Sequence, residues 1–549
     1  MRFRVILTGL CCITVLLAQD APIFPAPAYF RDHFSVPQSR VELRAPVRLA
    51  DFESNGKLEL SLRSYLELVM ANNTDVEIQK VTLEVQRNAI ARAFARFDPV
   101  LQASFNSRRT KSPATDVLQG AATLNQLSQP ANFNYQQTLP TGTQYTVGFS
   151  ASKASTNSAF STFNPALNAQ MSFGFTQPLL RNRGAYITRL PILIARSRLR
   201  SGEYNLRDQL LRLLAAAEND YWNVVESREN VMVQEQSLDL RTKALERAEK
   251  ELKLGAISPL EIFQPKADKA SAEIQVSQSK YRLAQTEDAL RKQIGADLDP
   301  QVRNLPIVLT ETVLPPAGGA LGREELVEKA LAMRPDLRSA IQSLEADDLS
   351  IKAASNAMKP DLALTGSYAS SGRGGTFYQR SNVFTDTGSS ATVLRVIPGG
   401  IGDALDQLFG FNFPTYSIGL TLRLPLRDRA ARADLADALV QKRLSSLRAR
   451  TTEQTIRLQV LNAISQVESS QEAVKLAIVA RDLAQNQLDA EQQRFDLGVT
   501  ILFFVLDAQN RLTAAQSRLV TESINYRRNL LNMLRVTGEL LDERGVTVQ

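Results

Sequence analysis

Two stretches of this chain carry the same landmarks in the same order, and a fold that must be built twice leaves few architectures open. Asn73-Thr74-Asp75 and Pro99 recur 261 residues on as Arg334-Pro335-Asp336 and Pro360. Leu254-Gly255 and Gly295 recur 243 residues on as Leu497-Gly498 and Gly538, and between the two blocks Pro178 answers to Pro425. The change of offset marks connections of different length in the two copies. The expected organisation is a first repeat over 58–297, a linker over 298–322, a second repeat over 323–541 and a short tail over 542–549.

Each copy changes period along its length. From Ser61 to Phe97 the positions Leu62, Leu66, Val69, Ile78, Val81, Val85 and Phe94 follow a spacing of three to four, which predicts an amphipathic helix ended by Pro99. Beyond it Leu101, Ala103 and Phe105, then Tyr145, Val147 and Phe149, then Ala169, Met171, Phe173 and Phe175 alternate with polar residues, as half-buried strands do. In the second copy Ile418, Leu420, Leu422 and Leu424 do the same. The opposite face, Gln170, Ser172, Gly174 and Thr176, is small and polar, the dyad pattern of a barrel with lipid outside and water inside. A soluble β-sandwich with one wet face would give the same alternation.

A coiled-coil stripe then runs from about Ile187 to Leu254, roughly 100 Å of helix at about 1.5 Å per residue. Gly255 suits the left-handed position that ends a helix, and Ser258-Pro259-Leu260-Glu261 reads as a capping box opening a return helix from Pro259 to Ile294. Pro265 should kink that helix. The helix before the strands and the helix after the turn are each about half as long as the one between, so the two can stack end to end beside it. Four helical columns per chain result, and copies closing a ring would bury their remaining apolar stripe.

The amino terminus sets the compartment. Arg2 and Arg4 precede an apolar run, Val5 to Ala18, too short for a bilayer span, so 1–18 is expected to be a secretory signal peptide. Cys11 and Cys12 fall inside it, which would leave a mature chain without thiols, and the Pro-rich segment 19–57 reads as an extended tail. No later run is apolar enough for a transmembrane helix, so only closed β strands could cross a membrane. The 64 Lys plus Arg alternate with 57 Asp plus Glu rather than cluster, so no nucleic-acid partner is expected. His33 is the one histidine, which leaves no imidazole pair for a catalytic nucleophile or a zinc site. The chain is expected to be no enzyme and to need no cofactor or metal. Gly372-Arg373-Gly374-Gly375 lacks the Gly-Lys-Ser/Thr of a phosphate loop.

In this setting Gln177-Pro178-Leu179-Leu180-Arg181, Leu424-Pro425-Leu426 and the two Leu-Gly reversals, in order and duplicated, resemble the TolC family of outer-membrane efflux proteins over about Leu58 to Leu541. The resemblance implies an α+β membrane protein: a homotrimer in which each chain gives four strands to a twelve-stranded outer-membrane β-barrel, continued by a periplasmic α-helical coiled-coil barrel of twelve helices. It implies a passive duct in the outer membrane, in contact with its lipid, working with an inner-membrane transporter and a periplasmic adaptor in efflux or type I secretion. Three features depart from the pattern, one of them at the tip, where Glu261 answers to Phe504 six residues past the turn glycines and Gln264 answers to Asp507 nine residues past them. The first repeat holds an additional candidate hairpin, 133–138 with 143–150, and the second a long Gly-, Ser- and aromatic-rich connection over 370–414. A periplasmic coiled-coil adaptor, or a structural protein without a pore, stands as the alternative.

The resemblance also places the Leu-Gly turns at the periplasmic tip, making Gly255, Ser258, Gly498 and Thr500 candidates for adaptor contact and Asp507, Phe504 and Glu261 candidates for the pore constriction. Each acid has a simpler reading: Glu261 as partner of Ser258 in the capping box, Asp507 as an ion pair with Arg511 one turn on. Phe503 and Phe504 can equally be packing at the tip. Arg181, Arg183, Arg427 and Arg429, just past the strands in both copies, can reach toward lipid headgroups or simply sit in water.

Overall fold

Helices of 64 and 68 residues dominate the chain, and each is flanked along its length by two shorter ones. The structure is a computed structural model that describes residues 46–115, 120–159, 161–255, 257–312, 322–381 and 392–546. The expected signal peptide, Cys11, Cys12, His33 and most of the expected tail lie outside the described residues. From Val47 onward the chain forms one unit.

In chain order come β1 (Glu53–Ser54), β2 (Lys57–Leu60), α1 (Leu62–Asn72), α2 (Thr74–Phe94), β3 (Val100–Phe105), β4 (Arg108–Pro113), β5 (Thr123–Thr138), β6 (Gln144–Thr156), β7 (Phe163–Pro178), α3 (Leu190–Lys253) and α4 (Phe263–Gln293). After β8 (Ile307–Leu309) come α5 (Arg323–Met333), α6 (Pro335–Ala357), β9 (Asp361–Arg380), β10 (Val393–Ile397), α7 (Ile401–Phe409), β11 (Pro414–Arg423), α8 (Arg429–Asp496) and α9 (Leu502–Thr537). No described helix is long and apolar enough to cross a membrane.

The expected single helix from Ser61 to Phe97 is two. Asn73 takes an extended conformation between α1 and α2, and its side chain accepts bonds from the backbone N–H of Asp75 (2.8 Å) and Val76 (3.3 Å), so it caps α2. In the second repeat Arg334 is extended at the same place because Pro335 follows it. Both breaks lie about half way along a long helix, where the other short helix ends. Asn73 Nδ2 donates to Gln293 Oε1 (2.8 Å) at the end of α4, and Gln293 donates in turn to Asp220 of α3 (2.8 Å). Arg334 donates to Gln459 of α8 (2.6 Å) and to the carbonyl of Val536 near the end of α9 (3.5 Å). Thus α2 and α4 stack against α3, and α6 and α9 against α8.

The segments expected as tail, linker and carboxyl-terminal tail converge at this level. β1, β2 and β8 form a three-stranded sheet, with Leu58 to Leu60 paired in parallel with Ile307 to Leu309. They cover Tyr65, Tyr221 and Trp222, the largest fully buried side chains. Arg544 reaches the carboxylate of Glu218, 1% exposed, through two bonds of 3.0 and 2.6 Å, and Trp222 Nε1 donates to the same group (3.4 Å).

The other sheet differs from the implied four strands per chain. β3 and β4 lie end to end on β5, followed by β6, β7 and β9, with β11 on the lower half of the far edge of β9 and β10 on its upper half. Among the described residues that makes six antiparallel columns. The cause is the additional hairpin, β5 with β6, which is hydrogen-bonded over its length between β4 and β7. One face carries Phe133, Tyr135, Val147, Phe173 and Ile418, and the other Asn134, Gly148, Ser172, Ser367 and Ser417, as alternation requires.

The long connection of the second repeat extends β9 and then lays α7 on the apolar face. Ala404 and Leu408 are buried there against Ala169, and Ser370 Oγ donates to the carbonyl of Leu408 (2.8 Å). Gly372 and Gly374 leave room for it, because a Cβ at either would overlap the backbone of Ala404 or Gly400. The glycine run is a seat for a helix.

Arg544→Met would leave Glu218 as a buried carboxylate without its cation, at a cost of about 3 kcal/mol. Thermal unfolding in detergent should show a clear drop in midpoint, and adding Glu218→Gln should restore most of it.

Candidate functional site at the helical tip

The ends of the long helices furthest from the large sheet hold every residue singled out above for partner contact or constriction. Both turn glycines are left-handed, Gly255 at φ 72° and Gly498 at φ 70°. At the second turn the Gly498 N–H donates to Phe495 and the Val499 N–H to Arg494, both at 2.9 Å, the Schellman closure. An added Cβ at either glycine would meet no atom within 4 Å, so only the backbone angle demands glycine.

The capping box does not form. Ser258 Oγ accepts from the N–H of Leu260 (3.3 Å) and the Ser258 carbonyl from the N–H of Glu261 (3.0 Å), so 258–262 is a turn and α4 starts at Phe263. Pro265 decides this. In a helix begun at Pro259 it would remove a ladder bond, whereas three residues into α4 its missing N–H is one that no helix satisfies internally, and no kink is needed. Glu261 is exposed and has no ion-pair partner among the described residues.

Thr500 is half-buried between Gly498 and the start of α9 at Leu502. Asp507 Oδ2 lies 2.9 Å from Arg511 Nε, the i, i+4 pair of its simpler reading, with both side chains substantially open to solvent. Phe503 and Phe504 stack edge to face at 5.6 Å and are exposed, while Val505, Ala508 and Leu512 turn inward against Leu488. Around both turns Leu254, Leu260, Phe263, Leu497, Val499 and Ile501 are also exposed, an apolar concentration that marks a contact surface.

The two hairpins are tied together by residues that sequence reasoning missed. Arg247 of α3 donates to Asp496 of α8 (2.5 Å) and to Glu251 on its own helix (3.0 Å), with its guanidinium 4.5 Å from the Phe495 ring centroid. One turn and a half higher, Arg241 donates to Asn510 of α9 (2.5 Å) and to the carbonyl of Asp268 of α4 (3.1 Å). The bond from Arg247 holds the Asp496 carboxyl below the ordinary carboxylate value, and Asp496 in turn raises Arg247. In sequence both residues lie within helices of alternating charge, where nothing separates a cross-hairpin partner from a solvated one. Among the described residues there is no cluster of groups that could hold a metal ion.

A family profile described as outer membrane efflux protein matches residues 326–539, which lie within the second repeat. A Pseudomonas putida protein described as a probable efflux pump outer membrane protein, TtgC, is 22% identical over 62% of this chain and 63% of its own length, so the match spans less than two thirds of that relative. The outer membrane efflux protein BepC of Brucella suis is 22% identical over 92% of this chain and 91% of its own length. Among solved structures, the outer membrane channel CmeC of Campylobacter jejuni superposes with a TM-score of 0.58 at 16% identity, covering 92% of this chain and 91% of that one. With the duplicated helix–strand–helix order and the fold, these findings make the chain similar to the outer membrane efflux proteins of the TolC family.

Proposed function

We propose that the protein is the outer-membrane exit duct of a tripartite efflux or type I secretion assembly, three copies of which enclose a passive channel through the outer membrane and the periplasm. The observation that carries this reading is the direct run of a two-faced sheet, apolar on one side and small-polar on the other, into helical columns about 100 Å tall. A sheet in lipid needs its apolar face outward and its edges closed, and copies of the chain supply the closure. A periplasmic adaptor has no use for such a sheet. The relatives are named for efflux, and the solutes this chain would carry are set by the inner-membrane transporter it serves.

The tips are then the end that meets the adaptor, through the exposed apolar side chains around Gly255, Ser258, Gly498 and Thr500. Arg247 and Asp496 hold the two hairpins of one chain together, which favours a narrow entrance. Phe504, Glu261 and Asp507 are positioned near that entrance. Because Asp507 is paired with Arg511, a ring of three such pairs is nearly neutral, and loss of the acid would leave three uncompensated cations.

Three outcomes test this reading. Asp507→Asn should move the permeability ratio in planar bilayers toward anions at low salt, and adding Arg511→Gln should bring it back; an unmoved ratio would mean that Asp507 faces away from the pore. Gly255→Val or Gly498→Val should cost about 1 kcal/mol or more in local backbone strain, without a clash, and abolish pump-dependent resistance while trimers persist in detergent. Since the Asp496 carboxyl is lowered by Arg247, the link is fully made above about pH 4 and is lost as pH falls through the lowered value. Spin labels at Leu254→Cys and Leu497→Cys should therefore give a narrow distance distribution from pH 8 to 5 that broadens below about pH 4, and Asp496→Asn should broaden it at every pH.

A further inference from the structure

Among the described residues the large sheet ends in two edges with no partner strand: the free side of β3 and β4, and the free side of β11. In lipid an open edge leaves a row of backbone donors and acceptors unsatisfied, each costing several kcal/mol, so both edges must be covered.

The hydrogen-bond register tells how. Val100 faces Gln136, which faces Thr146, then Gly174, then Ser367, and finally Ser417 on β11. Val100 is the first residue of β3, whereas Ser417 stands six residues before Arg423, the last of β11. Both are the strand ends nearest the helices. The sheet therefore drops about six residues over five steps between strands, about 20 Å along the strands for about 24 Å across them, which is a strand tilt of about 40°. Transmembrane barrels tilt by about 35–45°. The sheet is already staggered as a barrel wall, and the additional hairpin shares the stagger.

Six columns is an even number, so β11 runs opposite to β3. Setting the next copy's β3 beside β11 with the rim kept level brings Val100 of that copy to Arg423. Leu101, Ala103 and Phe105 then stand opposite Leu422, Leu420 and Ile418, all on the apolar face, and Gln102 and Ser104 stand opposite Thr421 and Gly419 on the polar one. These apolar side chains are the exposed ones of the single chain, Phe105 at 70% and Ile418 at 83%.

We propose that β11 of each copy hydrogen-bonds to β3 of the next, so that three copies close a barrel of eighteen strands rather than twelve. The count of three and the lipid setting rest on the duct reading above; the register and the matching faces of the two edges do not. At a tilt of about 40° eighteen strands give a backbone diameter of about 36 Å, against about 24 Å for twelve.

Oxidative cross-linking tests this, in chains with Cys11 and Cys12 as the only native cysteines. Leu101→Cys combined with Leu422→Cys should give covalent trimers that survive denaturing gels, and neither single variant should. A closure two residues longer would be reported by Leu101→Cys with Leu424→Cys, and it too supports the pairing. Gln102→Cys with Thr421→Cys, on the polar face, serves if the first pair fails to assemble. Absence of cross-links in all three pairs, in protein with trimer mass by light scattering, would overturn the proposal. So would cross-linking of Leu422→Cys to Tyr145→Cys on β6, the mark of a twelve-stranded ring with β3 to β5 left outside. A monomer mass would instead remove the duct reading, and the two failures are told apart by that measurement.

Discussion

A helix of more than sixty residues with charges along its whole length has no stability of its own to spare; it persists because neighbours cover an apolar stripe at every turn. The structure meets that demand with pairs of short helices, and the junction where one hands over to the other is its most exacting point. Four backbone groups at each helix end lack partners inside the helix. At the first junction Asn73 and Gln293 supply what is missing, and at the second Arg334, locked to Asp336 (2.6 Å), reaches Gln459 and Val536. The same break is thus made by an amide cap in one copy and by a pre-proline residue with a near-buried guanidinium in the other.

Much of this was legible in the sequence because it rests on period and on glycine. The alternation of Ala169, Met171, Phe173 and Phe175, the stripe on the long helices, and the left-handed Gly255 and Gly498 are local, and local rules find them. Other features depend on residues far apart in the chain. Nothing near Arg544 announces Glu218, and nothing in Ile307 to Leu309 announces a parallel partner 249 residues earlier, so both segments read as linker or tail. The capping box failed for a different reason: Ser258 and Glu261 fit the motif, but Pro265 a few residues on decides where a helix can begin, and it favours Phe263. Arg247 and Asp496 are unremarkable charges in sequence, and only the meeting of two hairpin tips makes them a pair.

The glycine run 372–375 shows how a composition can be read correctly as to what it is not while its use stays hidden. No phosphate chemistry follows from it. Its bare backbone lets α7 rest on the apolar side of the strands, with Ala404 and Leu408 inward and Ile401 and Phe409 outward. The helix covers the stretch of β9 where β11 has ended and β10 has not begun, so the three together occupy one side of that strand.

The arithmetic of the duplication has a consequence for how such a chain can change over generations. From Asn73 to Pro99 and from Arg334 to Pro360 the spacing is identical, and so it is from Leu254 to Gly295 and from Leu497 to Gly538. The offset between copies changes only across the stretch that contains the strands and the long helix. A residue added to one short helix would push its neighbours out of step through the junction and down to the opposite tip, and would need simultaneous compensation in the adjoining columns. A hairpin added to the sheet slides in beside its neighbours and disturbs none of them. Inheritance has accordingly kept the spans 73–99 and 254–295 equal to their counterparts and gathered most of the length differences among the strands.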